Sequence, residues 1–319
     1  MTVVMGTERT RTARQGAPLT VIADVLAVLA AISSVVGLLA LGGSGRQLIQ
    51  TARGATVTLY GDGLYAADSW LIGAGNRGQD VTMLILEVPV LLLVLRWYRR
   101  GSAVAAAVLT GVLAFFTYYY VSMVFGVAQN RLFPLYVAAA SLAAFGLAIV
   151  ASRVTVGDVA AALPEHPGRR TLAIYLVAVA GALTFAWLPG MITTAVSGNI
   201  AEAVGPYTSA ATEALDLGFV VPVSVIAAVQ LLQGRPSGRV LALIMLVLNV
   251  CIGPVLMAQG IAQLLSGVPL TPAEIVGKML TFAALTLVAG SLLAWMARSG
   301  RAISPAPTHA LVLTERNSR

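Results

Sequence analysis

Nearly everything that makes a water-soluble surface is scarce in this 319-residue sequence. Charged residues are 10% of the chain, where soluble domains carry about 25%. A surface so poor in charge cannot lie mostly in water, which excludes a cytosolic enzyme, a secreted scaffold and a disordered tail protein. Cysteine occurs once, at Cys251, so no intramolecular disulfide forms and the loops must hold their shape without one. Histidine occurs twice, at His166 and His309, both outside the apolar stretches. That argues against a bis-histidine haem or an imidazole metal centre inside a bilayer, and the sequence implies no cofactor and no metal. Lysine occurs once, at Lys278; the other 19 of the 20 basic residues are arginine.

Apolar residues, by contrast, make up 58% of the chain and the mean hydropathy is +0.87. A bilayer core of roughly 30 Å takes about 20 apolar residues per helix. Eight stretches qualify: 20–42, 80–98, 103–126, 133–152, 171–192, 214–233, 239–262 and 272–297. The sequence therefore predicts an all-α, multi-pass integral membrane protein. Arg9, Arg11 and Arg14 before the first stretch give it the look of a signal peptide. Its apolar run from Val21 to Leu41 is longer than the roughly 7–15 residues of such a segment, and it reads as a membrane helix.

The net charge of +7 and pI near 10.0 invite a nucleic-acid reading, but the positions of the charges oppose it. With the N-terminus in the cytoplasm, 15 of the 20 basic residues fall in cytoplasmic segments, among them Arg96, Arg99, Arg100, Arg153, Arg169, Arg170, Arg235 and Arg239. That bias orients the chain in a cell membrane with both termini cytoplasmic. The expected partners are membrane lipids, with anionic lipid at the cytoplasmic face, and not nucleic acid. The organisation expected is a cytoplasmic segment 1–19, a first four-helix half 20–152 with an outer loop 43–79, a cytoplasmic linker 153–170, a second half 171–297, and a disordered basic tail 298–319.

The loop lengths repeat in the same order in both halves, and the sequences echo one another. Asp80 precedes Val88-Pro89-Val90 as Glu213 precedes Val221-Pro222-Val223, and the third and seventh spans end in similar runs closing on Gln129 and Gln263. Two parallel four-helix repeats would explain this, and so would chance alignment of Ala-, Val-, Leu- and Gly-rich helices. Parallel repeats occur in transporters whose site lies between the halves.

Ionisable groups at membrane depth are costly and are functional candidates by default. Glu87 stands first, two turns below Asp80 and two residues before Pro89, whose missing N–H permits a kink. Such a carboxyl can bind a cation, carry a proton or pair with a neighbouring Arg, Lys or Tyr. Asp216 reads as an interfacial, solvated carboxylate, and Asp24 as a snorkelling or capping group. Lys278 either pairs locally with Glu274, in a helix start with the capping box Thr271-Pro272-Ala273-Glu274, or points inward as counter-ion to Glu87 or Asp216. Asn249, near the midplane, suits an interhelical hydrogen bond or a substrate contact. Tyr118, Tyr119 and Tyr120 read as an aromatic belt, with one of them, such as Tyr119, facing the interior.

In the outer loop, Thr56–Tyr60 alternates like a strand, Gly61-Asp62-Gly63 is a turn, and Leu64-Tyr65 would return as a short β-hairpin cap. Gly73-Ala74-Gly75-Asn76-Arg77-Gly78 matches G-x-G-x-x-G only formally: no buried strand precedes it, and Asp80 would repel phosphate. Asp62, Asp68, Asp80, Tyr60, Tyr65, Trp70 and Arg77 would line an external mouth or form a solvated cap. The second outer loop carries Glu202 and Glu213 and no basic residue, which favours cations or neutral solutes. Three functions fit. The first is a transporter of a small solute or ion with Glu87 as its carboxylate and Asp216, Lys278, Asn249 and Tyr119 as neighbours, although the inner half offers little polar beyond Asp24 and Gln230. The second is a membrane enzyme with Glu87 or Asp80 as base and Arg77 holding an anion. The third is a non-catalytic accessory subunit.

Overall fold

The computed structural model describes residues 2–164, 168–199, 204–272 and 275–302, with side chains from 18 to 299 apart from that of Lys278. Among these residues eight helices are long and apolar enough to cross a membrane, and the protein is a multi-pass membrane protein. They are α1 (Thr2–Leu39), α2 (Trp70–Tyr98), α3 (Ala103–Phe125), α4 (Phe133–Ala151), α5 (Arg169–Ser197), α6 (Ala211–Leu232), α7 (Pro236–Leu265) and α8 (Ile275–Ser299). His166, His309, Glu202 and Glu274, and with them the expected Glu274–Lys278 pair and the tail from 303, lie outside the described residues.

Local chemistry sets the helix ends. The side chains of Ser69 and Ser102 cap α2 and α3 by accepting the backbone N–H groups of Ile72 and Ala105, each at 3.3 Å. Pro134 and Pro236 stand in the first turns of α4 and α7, where no N–H is needed. Gly198 ends α5 at φ 71°, a left-handed C-cap.

Several elements differ from expectation. α1 runs back through the expected N-terminal segment to Thr2, and the linker between α4 and α5 contains a short helix, Val156–Ala162. α2 starts at Trp70, ten residues before the expected 80. Gly73 to Gly78 are therefore helix interior and not loop. The reason is close packing: a Cβ at Gly73 would strike the Tyr60 ring, at Gly75 the Gln259 side chain, and at Gly78 the Ala258 carbonyl. The glycine pattern lets α2 press against the loop and against α7, as small residues do in membrane bundles.

The hairpin pairs differently too. Thr56–Thr58 is a strand (β2), but its partner is the upstream Leu48–Gln50 (β1), antiparallel with Leu48 opposite Thr58. The expected return, Leu64-Tyr65, is instead a 3₁₀ turn. Gly61 and Gly63 take φ 76° and 60°, and the Gly63 N–H bonds the Gly42 carbonyl, so the chain tucks beneath the end of α1 rather than doubling back.

The first four helices close on themselves: α1 packs on α2 and α4, and α3 packs on α2 and α4. The last four repeat this order through α5–α6, α6–α7 and α7–α8, but α8 touches α5 far less than α4 touches α1. α7 joins the two groups by packing on α2 and α3. The core is densest along α3, where Leu109, Leu113, Phe115 and Phe116 are buried and the Phe115 and Phe116 rings meet edge to face at 5.4 Å. A groove of about 510 Å³ between α5 and α6 is lined by apolar residues including Val177, Phe185, Pro189 and Val225.

Two of the spans contain π-helical turns at corresponding places. Met83–Glu87 interrupts α2 and Asp216–Val220 interrupts α6, starting 133 residues apart and each followed at once by Val-Pro. A π turn adds a residue to the helical turn, and such bulges sit often at functional sites. A third spans Ile275–Leu280 at the start of α8 and carries Lys278.

Candidate functional site: buried acids of the membrane helices

Glu87 closes the π turn of α2, two residues before Pro89, and is 1% exposed. Neither carboxylate oxygen has a hydrogen-bond partner among the described residues. The Cys251 thiol of α7 is its polar neighbour. No Arg or Tyr side chain among the described residues forms an ion pair or hydrogen bond with it. Leaving such a group buried and unsatisfied costs free energy.

Asp216, the first residue of the other π turn, is the opposite case. It is not the solvated interfacial carboxylate expected from sequence: it is 5% exposed. The Tyr118 hydroxyl donates to one oxygen at 3.0 Å and the Trp187 indole N–H to the other at 2.8 Å. The added residue of the π turn faces Asp216 inward, toward α3 and α5. Tyr118 is thereby taken from the expected aromatic belt. Tyr119 and Tyr120 leave it as well, at 5% and 0% exposure, because α3 is the central helix with no broad lipid-facing side.

Asp80 is 1% exposed, near the loop end of α2. The Tyr65 hydroxyl donates to it at 2.8 Å, and Ser34 of α1 lies beside it. Gly37 makes room: a Cβ there would collide with the Asp80 carboxylate. Tyr119, Tyr120 and Tyr136 stand around the same carboxyl, and Tyr120 pairs with Ser33 at 3.1 Å. Arg77 is engaged locally, donating to the Leu38 carbonyl at 3.1 Å and to the Tyr60 hydroxyl at 3.5 Å, with Asp62 at 3.7 Å. It is not positioned as an open anion holder.

Asp68, in the loop before α2, is 1% exposed. One oxygen accepts the Ala128 N–H at 2.7 Å and the Tyr207 hydroxyl at 3.0 Å; the other has no partner among the described residues. Burial pushes its carboxyl up to about 6, against the lowering effect of those two donors. Burial, with the Asp80 carboxylate beside it, also pushes the Tyr65 hydroxyl well up.

Toward the basic end, Asn249 of α7 has an unpartnered amide nitrogen and lies beside Tyr175 of α5, whose hydroxyl is also unpartnered. Ser224 of α6 is fully buried with its hydroxyl unpartnered. Asp24 is neither capping nor free: Arg99 holds it at 2.6 Å. Lys278 lies on the third π turn, and its side chain is outside the described residues. Sequence reasoning missed Ser34, Tyr175 and Ser224. Each sits inside an apolar run, the signal that singled out Glu87, but an uncharged hydroxyl is too common in helices for that signal to stand out.

The structure thus brings Tyr65, Tyr119 and Arg77 into the neighbourhood of Asp80, places Glu87 against α7, and holds Asp216 separately against α3 and α5. No group of three or more His, Cys, Asp or Glu side chains among the described residues could hold a metal ion. Compared with known proteins, the chain matches no family model, no curated protein and no solved structure.

Proposed function

We propose that the protein is a transporter of a small solute or ion, with Glu87 as its working intramembrane carboxylate. One observation carries this reading: Glu87 is buried to 1% exposure with both oxygens unpartnered among the described residues, at the end of a π turn that Val88-Pro89 follows. A carboxyl kept only for packing would be satisfied as Asp216 is, so selection for something other than stability accounts for Glu87. Polar groups on both sides of it support a path. Asp80 and Ser34 lie toward the loop end, and Asn249, Tyr175 and Ser224 extend the polar line toward the basic end, which sequence alone left nearly bare. The π turn and Pro89 supply a place where α2 can bend.

The matching π turns, the shared Val-Pro step and the like order of helix contacts support two parallel four-helix repeats. On this reading the loops at residues 40–69 and 198–210 face outward, and the arginine-rich end faces the cytoplasm and its anionic lipid. The enzyme reading draws less support, because Asp80 is sealed under Tyr65 and Arg77 is already occupied.

The test is a thermal-stability screen of purified protein against ions, small metabolites and lipids across pH, beside Glu87→Gln. A ligand stabilises the state that binds it. A compound or pH step that shifts the wild type but not Glu87→Gln supports the carboxylate as a site and names the solute for flux assays. If no compound or pH step discriminates the two, Glu87 is not a site and the proposal fails.

A further inference from the structure

The groove between α5 and α6 plays no part in the transport reading. Its volume is about 510 Å³, and its walls are apolar side chains that face out of the bundle: Val177 is 55% exposed, Phe185 83% and Val225 43%. Thr184 also lines it, but its hydroxyl is satisfied within its own helix, donating to the Ala180 carbonyl at 2.7 Å. The side chains of the groove therefore offer hydrocarbon contact and no free hydrogen-bonding group, which suits an acyl chain and not a polar solute. Gly181 keeps the groove open, since a Cβ there would meet nothing within 4 Å.

Arginines stand at one end of the same seam. On α5, Arg170, Ile174, Val177 and Gly181 follow one another at steps of four, three and four residues and so share one face of the helix. Arg169 reaches across the seam: a Cβ at Gly234, in the turn between α6 and α7, would strike its guanidinium. Arg235 is the next residue of that turn, and all three arginines are exposed. Among the described residues no acid pairs with any of them, unlike Arg99, which Asp24 holds, and Arg239, which donates to the Pro164 carbonyl at 3.5 Å. Like charges gathered without an acid call for an anion from outside the chain, and guanidinium groups suit a phosphate.

We propose that the seam between α5 and α6 binds one anionic phospholipid, with its phosphate on Arg169, Arg170 and Arg235 and an acyl chain along the groove. The lengths agree. Gly181 lies eleven residues from Arg170, about 16 Å along the helix, and one leaflet of hydrocarbon is about 15 Å deep. A chain hung from a headgroup at Arg170 thus passes Ile174, which is 70% exposed, and Val177, and ends beside Gly181. Charge decides between this occupant and a second copy of the protein. Two copies related by a two-fold axis along the membrane normal would bring both sets of arginines to the same end of one interface, where they repel. A lipid phosphate neutralises them instead, and one shared by Arg169 and Arg235 also ties α5 to the turn between α6 and α7. The orientation given above serves only to name the leaflet; the site does not depend on Glu87 or on transport.

Native mass spectrometry of the purified protein, titrated in detergent micelles with dioleoyl phosphatidylglycerol or dioleoyl phosphatidylcholine, tests this. The two lipids share their chains and differ in charge. The wild type should take up one phosphatidylglycerol roughly tenfold or more tightly than phosphatidylcholine. Arg169→Gln, Arg170→Gln and Arg235→Gln combined should remove that preference. Gly181→Trp, which fills the groove, should weaken uptake of phosphatidylglycerol by roughly tenfold. Arg96→Gln with Arg100→Gln, at the end of α2, should leave it unchanged. The arginines are exposed, so their variants serve where Gly181→Trp fails to fold. Equal uptake of the two lipids by the wild type overturns the proposal. So does a loss as large in the Arg96→Gln, Arg100→Gln variant, which would mean surface charge alone. Displacement of the lipid by an equal concentration of inorganic phosphate would show an anion site without a chain, and a wild-type dimer that Gly181→Trp splits would put a second copy in the groove; either result overturns it as well.

Discussion

The two π turns put the two halves of the molecule side by side. In the first half the turn ends on Glu87, whose carboxylate has no partner among the described residues; in the second it begins with Asp216, whose oxygens are both held. Packing runs the other way. α2, which carries Glu87, is pressed against α7 through Gly75 and Gly78, whereas α5, which meets Asp216, is open toward α8, and Gly181 and Gly190 of α5 meet nothing within 4 Å. The tightly packed α2 holds the unsatisfied acid, and the satisfied one meets the loosely packed α5. A costly buried group needs surroundings rigid enough to keep it from escaping to a partner or to water, and close helix packing provides them.

The largest effect should come from breaking the tight side. Gly78→Val would drive a side chain into the Ala258 carbonyl and should cost about 3 kcal/mol in reversible unfolding from mixed micelles. A cost below about 1 kcal/mol would show that α2 and α7 separate easily, removing the contrast.

Next comes Asp68, which ties the first-half loop to Tyr207 of the second. Its carboxyl is raised from 3.8 to about 6, so the folded state holds the proton more tightly than the unfolded chain. Its contribution is therefore greatest below the unfolded value and falls as pH rises through the interval from about 4 to 6, by roughly 3 kcal/mol. Melting curves across that interval should slope downward for wild type relative to Asp68→Asn. Parallel curves would refute the buried, raised carboxyl.

The acids themselves sharpen the comparison further. Asp216→Ala removes the acceptor of the Tyr118 hydroxyl and of the Trp187 N–H and should lose about 1–2 kcal/mol. Glu87→Gln replaces a carboxyl that has no hydrogen-bond partner among the described residues and should change stability by less than about 1 kcal/mol, in either direction. Equal losses in the two variants, read from the same unfolding assay, would mean that Glu87 has a structural partner after all. The smallest effect is expected on the open side, where Gly181→Ala adds a methyl into free space and should gain a few tenths of a kcal/mol from helix propensity. A loss there, or a change in oligomeric state by light scattering, would reveal a surface that packs on α5.

How much of this was legible from sequence depends on the range of the interaction. The eight spans follow from runs of apolar residues, and the depth of Glu87 follows from counting along one helix, so both could be read. The start of α2 could not. Gly73 to Gly78 look like loop residues until Tyr60, Gln259 and Ala258 are seen against them, and two of those three contacts come from the other half of the chain. The hairpin failed for a similar reason: Thr56–Thr58 is a strand as its alternation says, but choosing between the flanking segments as its partner depended on how Gly61 and Gly63 pack under α1. Asp216 was placed in solvent because its only visible sequence neighbour was Glu213, while its real partners, Trp187 and Tyr118, are 29 and 98 residues away.

The helix lengths have a consequence for the bilayer itself. α2 and α5 have 29 residues and α7 has 30, whereas α4 has 19. At about 1.5 Å per residue the long helices reach roughly 43–45 Å and α4 roughly 28 Å, against a hydrocarbon core of about 30 Å. α2 packs along α7, and its first turns lie against the loop at Tyr60. α4 and α5 stand at opposite ends of this range, and α5 meets lipid along its apolar, exposed second half. Lipid around the molecule therefore faces two hydrophobic heights at once: α5 must tilt or stretch the bilayer beside it, and α4 draws it thinner. The protein thus carries a thickness gradient around its own perimeter, and its preferred membrane is the one that can deform to follow it.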